Sequence, residues 1–156
     1  MLPVHLAFTF PGLKVSRSYA GTSPKNARYN CIAYAASDHW WWPLIPGYWP
    51  HGVPRLLDIQ TFNQAFQTIG YRVCSGPDLV IGTEKVAIFA VGAEPKHAAR
   101  QLNSGLWTSK LGPFIDIQHQ LNAICGPEYG IPVSFLERPV ETINSLPSSH
   151  PQQSTP

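Results

Sequence analysis

The 156-residue chain combines 44% hydrophobic with only 13% charged residues and 16 prolines, a balance that gives one core-forming domain whose elements are joined by stiff loops. Its net charge of +2 is spread over isolated lysines and arginines, which argues against nucleic acid or an anionic membrane as a partner. No window approaches the roughly 18 apolar residues of a membrane-spanning helix, so no membrane partner is expected.

The N-terminal stretch "MLPVHLAFTFPGLKVSR" has neither a charged leader nor a small-residue cleavage site and reads as a strand of the mature chain. The polar, turn-rich residues 15–28 predict a loop. From Tyr29 to Ala36 the residues favour a short helix, stopped at or before Pro43. Residues 43–54, "PLIPGYWPHGVP", carry too many prolines for a regular element.

Ile59, Phe62, Phe66 and Ile69 recur at helical spacing, with Asp58 placed to cap the helix and Gly70 to stop it. "YRVC" then predicts a short strand, and "KVAIFAV", apolar at successive positions, a strand covered on both faces. "KHAARQL" and "LWTSKL" flank the turn "NSG" and predict a hairpin. With Leu102 opposite Leu106, residues 97, 99, 101, 107, 109 and 111 share one face, and His97 and Ser109 become diagonal neighbours. Arg100 and Lys110 fall on the other face.

Phe114, Ile117, Leu121 and Ile124 after Pro113 predict a late helix, and "GIPVSFLERP" a last strand. The globular domain is expected over residues 1–139, with 140–156 a disordered tail rich in serine, proline and glutamine. The element order predicts an α+β fold, helices first and an antiparallel sheet after.

Three cysteines, with no CxxC pair, fit free thiols and a cytoplasmic location. Cys31 differs from Cys74 and Cys125 in its place at a predicted helix start, where the dipole favours a thiolate and free amides can face an oxyanion. Asn30 beside it can cap the helix or orient that oxyanion. His97 can serve as base, with Ser109 the leading residue to orient its ring and Gln101 and Asp116 behind it. The alternative for each is plain packing: a cysteine in an apolar helix, a histidine hydrogen-bonded in a strand. A zinc reading would gather Cys31, His97 and His119, yet no close-spaced ligand pair supports it, so neither metal nor cofactor is expected.

Trp40, Trp41, Trp42 and Trp49, with Trp107 on the hairpin, supply a groove wall for a peptide or sugar, or simply pack on the core. The stretches "YNCIAYA", "HWWWP", "YWPHGVPR", "HAARQL" and "WTSKLGPFIDIQH", within residues 28–138, resemble an uncharacterised bacterial domain family that brings no established activity. The order of cysteine on a helix and histidine on the sheet more distantly resembles the papain-like superfamily, including NlpC/P60 and CHAP amidases. That resemblance implies a papain-like fold and a Cys-His hydrolase or acyltransferase acting on an amide, with a peptide or protein substrate. In NlpC/P60 enzymes a histidine commonly opens the strand matched by "KVAIFAV"; Lys85 stands there, and His97 would act from the next strand. The alternative function is a non-catalytic binding module that uses the tryptophan-rich loop.

Overall fold

The computed structural model describes residues 20–23, 35, 49–110 and 116–140. The predicted N-terminal strand, the segment around Cys31, Trp40 to Trp42 and the tail beyond Val140 lie outside the described residues.

The described chain is mainly β. Seven strands form one antiparallel sheet: β1 (Ala20–Ser23), β2 (Arg72–Cys74), β3 (Thr83–Val91), β4 (Glu94–Gln101), β5 (Trp107–Lys110), β6 (Asp116–His119) and β7 (Ile131–Pro139). Their spatial order is β1-β6-β5-β4-β3-β7-β2. The α-helix α1 (Ile59–Gln67) and a 3-10 turn, Leu121–Ile124, complete the named elements, and Ala35 is also helical. This overturns the α+β, papain-like expectation, since the described sheet dominates and the expected late helix is absent. No helix among the described residues is long and apolar enough to cross a membrane.

The central strands follow directly from the sequence. Val86 to Ala90 on β3 are all buried, as a strand covered on both faces requires. The β4–β5 hairpin pairs Arg100 with Thr108 and Gln101 with Trp107, the register that places Leu102 opposite Leu106. Leu102 N donates to Leu106 O at 2.7 Å, and Gly105, at φ 90°, supplies the left-handed residue of the turn. Helix α1 is capped by Asp58, whose Oδ1 accepts from Thr61 N at 2.7 Å, and Gly70 follows it at φ 95°.

Two expectations fail for identifiable reasons. Ala20–Ser23, within the predicted loop, pairs with β6 as an edge strand whose "AGTS" text has no apolar alternation to announce it. Asp116–His119, expected to be helical, forms β6 because its backbone completes the ladder to β5, Ser109 opposite Ile117 and Trp107 opposite His119. Only the following Leu121–Ile124 winds, as a 3-10 turn.

The two faces of the sheet carry separate cores. On the first, Val86, Ile88, Ala98 and Leu136 pack with Phe62, Ala65 and Phe66 of α1, together with Trp49 and Ala35. On the second, Ala87, Phe89, Ala99, Trp107 and Ile117 pack beneath Ala123, Ile124 and Tyr129. Alternation along each strand decides which residue goes where, so a shift of one position would exchange the cores.

Candidate functional site

The second face holds the site. His97 stands opposite Phe89, at a level where the ladder shifts on both sides of β3. The β3–β4 register jumps from Phe89–His97 to Ala90–Pro95, skipping Lys96 in the ladder count. The β3–β7 register jumps from Ile88–Ser134 to Phe89–Pro132, leaving Val133 over. Such bulges bend a strand and re-aim its side chains. Here they flank Phe89, whose ring meets His97 edge-on at 5.5 Å.

Three consecutive strands each contribute one polar side chain to this face. His97 on β4 and His119 on β6 both reach Ser109 on the intervening β5: Nε2 of His97 lies 2.9 Å from Ser109 Oγ, and Nε2 of His119 lies 2.7 Å from it. All three are fully buried. His119 Nδ1 lies 2.7 Å from the backbone oxygen of Gln120. Tyr129 covers the group, its ring stacked on His97 at 4.0 Å and 9° from parallel.

The direction of each hydrogen bond follows from which atoms can only accept. The Gln120 carbonyl has no proton, so His119 Nδ1 carries one and donates. Burial pushes the His119 pKa down to about 4, against the opposing effect of that carbonyl, so the ring is neutral near pH 7 and its Nε2 is a bare acceptor. The single Ser109 hydroxyl proton therefore goes to His119. Ser109 Oγ then accepts from His97, whose Nε2 must carry a proton. Burial, and to a smaller degree His119, also hold His97 well below its ordinary pKa, so it too is neutral and its Nδ1 is a lone pair. That Nδ1 is buried and has no hydrogen-bond partner among the described residues.

A neutral imidazole with one nitrogen fixed by a donor bond and the other bare is the state of a general base. Ser109 and His119 also make a serine-histidine pair in form. Ser109, however, has no exposed surface for a substrate to reach.

The sequence candidates distribute as follows. His97 and Ser109 come together as the hairpin register predicts. Gln101 shares their face, but its Nε2 donates to Pro77 O at 2.8 Å at the other end of the strand. Asp116 opposes Lys110 in the ladder and falls on the opposite face, away from His97. Trp49 and Trp107 are both buried: Trp49 packs on Phe62 and donates to Pro54 O at 2.8 Å, and Trp107 packs on Phe135. Neither offers contact surface. Cys31, Asn30, Trp40, Trp41 and Trp42 fall outside the described residues. Ala35, four residues after Cys31, is helical and buried in the core of the first face, across the sheet from His97.

His119 is the residue whose role sequence reasoning missed. In a helix it would pair with Asp116 three residues earlier; in a strand that spacing sends the two to opposite faces. No group of histidine, cysteine and carboxylate side chains able to hold a metal occurs among the described residues. Cys74 and Cys125 are free thiols. Burial pushes the Cys125 thiol up, which disfavours its thiolate.

Fold and site together define an antiparallel β domain with a buried histidine-serine-histidine chain across three adjacent strands. The chain belongs to the family described as a domain of unknown function, DUF7689, whose model matches residues 20–137. No curated protein and no solved structure matches it.

Proposed function

We propose that the chain is a cysteine-dependent hydrolase or acyltransferase acting on an amide, with the Cys31 thiol as nucleophile and His97 Nδ1 as the base. The observation that carries this reading is the bare, buried Nδ1 of His97, on a ring whose other nitrogen is committed to Ser109. In the reaction Cys31 Sγ attacks the amide carbon as its proton passes to His97 Nδ1. The imidazolium returns that proton to the leaving amine, and water or an acceptor amine then releases the acyl group from sulfur. Because burial favours the neutral ring, the proton moves during attack and the resting state is thiol with imidazole rather than a preformed ion pair.

A small activated ester or thioester is the test. The reading predicts an acyl adduct on Cys31, found by mass spectrometry, that forms in the native protein and is absent from Cys31→Ser and His97→Gln. An adduct that forms equally in His97→Gln would overturn it.

A second reading is favoured by the complete burial of His97, Ser109 and His119 and by the position of Ala35. In it the three residues are a polar staple across β4, β5 and β6 in a non-catalytic module that binds a protein or ligand. No adduct forms on Cys31 in that case.

A further inference from the structure

We infer that His119 sets the tautomer of His97, acting through the Ser109 hydroxyl, so that a positioning residue two strands away decides whether His97 Nδ1 can accept a proton. Its catalytic consequence rests on the reading above; the tautomers themselves do not.

Between Gln120 O and His97 Nδ1 lie three hydrogen bonds in series, through His119, Ser109 and His97. Each neutral ring carries one N–H, and the serine carries one O–H. Fixing the first bond at the carbonyl fixes the remaining two, since reversing any of them would face two protons or two lone pairs across a buried contact. All members are fully buried, so a mismatch would sit out of reach of bulk solvent. The chain has one low-energy polarity, and its free end is the lone pair of Nδ1.

His119 therefore acts as the acceptor that draws the serine proton away from His97. Without that acceptor the hydroxyl turns and donates to His97 Nε2. The His97 proton then moves to Nδ1, and the ring can no longer take a proton from a thiol at that atom. Ser109 transmits the preference, and the backbone carbonyl of Gln120 anchors it.

Long-range proton-nitrogen NMR of the labelled full chain reads the tautomer of each histidine directly. The wild type is expected to show His97 protonated at Nε2 and His119 at Nδ1. His119→Phe, which keeps a ring but removes the acceptor, is expected to shift the His97 proton to Nδ1. His119→Gln, whose amide oxygen can still accept from Ser109, is expected to restore the wild-type form. The inference is overturned if wild-type His97 is protonated at Nδ1, an outcome that needs no variant to fold, or if His119→Phe leaves the ring unchanged. Cys31 acylation measured in parallel separates the two claims. The tautomers as stated, with acylation indifferent to His97, would sink the functional reading and leave the relay standing. Acylation dependent on His97, with the opposite tautomers, would sink the relay and Nδ1 as the accepting atom, and leave only the dependence of Cys31 on His97.

Discussion

Tyr129 lies flat on His97, ring centroids 4.0 Å apart and planes 9° from parallel, and closes the second face of the sheet over the histidine-serine-histidine chain. The stacking both contributes packing and removes water from His97, which is why burial dominates the depression of its pKa. Tyr129→Ala is expected to destabilise the fold by about 3 kcal/mol, as large-to-small changes at buried aromatics do. It should also raise the pKa of His97 toward its ordinary value. Urea denaturation gives the first, and NMR titration of His97 the second. A titration that does not move upward would separate the tyrosine from the histidine's electrostatics.

Gly130 holds that tyrosine in place. It adopts φ 74° and bridges to Gly126, and a Cβ built on it would sit 1.8 Å from the Ala90 carbonyl oxygen. That atom belongs to the backbone of β3 and cannot turn aside. Gly130→Ala is therefore expected to cost more than the ~1 kcal/mol of an ordinary glycine replacement, because the chain must move off β3. Gly92, also at positive φ but with nothing within 4 Å of its added Cβ, is the control. Equal losses of stability at the two sites would contradict the close-approach account.

Ser109→Ala removes the centre of the chain and leaves two buried ring nitrogens, His97 Nε2 and His119 Nε2, without partners. Each unsatisfied group costs about 1–3 kcal/mol, so the loss is expected to exceed that of deleting one ordinary hydrogen bond. Thr61→Ser on α1 retains the backbone N–H that meets Asp58 and serves as a mild comparison. Equilibrium unfolding of the variants checks the order.

Stability should fall on mild acidification, with a sign fixed by the two histidines. An unfolded histidine ionises near the ordinary value of 6.5, whereas His119 in the fold does so only at about 4. His97 is depressed in the same direction. As pH falls below 6.5 the unfolded chain takes up protons that the fold refuses, so stability is full above that value and declines until the folded groups titrate. His119 alone accounts for a loss of roughly 3 kcal/mol across its window. Between about pH 7 and pH 5 most carboxylates stay ionised, which isolates the histidine contribution. Denaturation midpoints of wild type and His119→Gln over that interval are expected to diverge, the wild type falling more steeply.

The strands that were legible in the sequence are those whose pattern leaves one solution. "KVAIFAV" is apolar at successive positions and too short for a buried helix, and the turn between Leu102 and Leu106 sets the hairpin register that makes His97 and Ser109 neighbours. Residues 113–124 were not legible because Ile117, Leu121 and Ile124 fit a helical repeat, whereas the inward-facing pair Ile117 and His119 is one step of a strand. Choosing between them depends on β5 offering a free edge, which is tertiary information. The same error hid His119. Once β6 is a strand opposite β5, Trp107 faces His119 and Ser109 faces Ile117, so the serine and the second histidine are diagonal neighbours. Trp49 and Trp107 read as surface candidates by residue type, but side-chain burial depends on what covers a face, and here α1 and Phe135 do.

The most direct test of the Cys31–His97 pairing is the rate of iodoacetamide alkylation at each cysteine against pH, assigned by mass spectrometry, in wild type and His97→Gln. Glutamine keeps a donor for Ser109 and removes Nδ1. The account predicts that Cys31 reacts faster than Cys74 and Cys125 near neutral pH, and that the substitution slows Cys31 by about a hundredfold, the scale of general-base assistance, while leaving the other two unchanged. Cys31 that reacts at the same rate with and without His97, or only on unfolding, would contradict it.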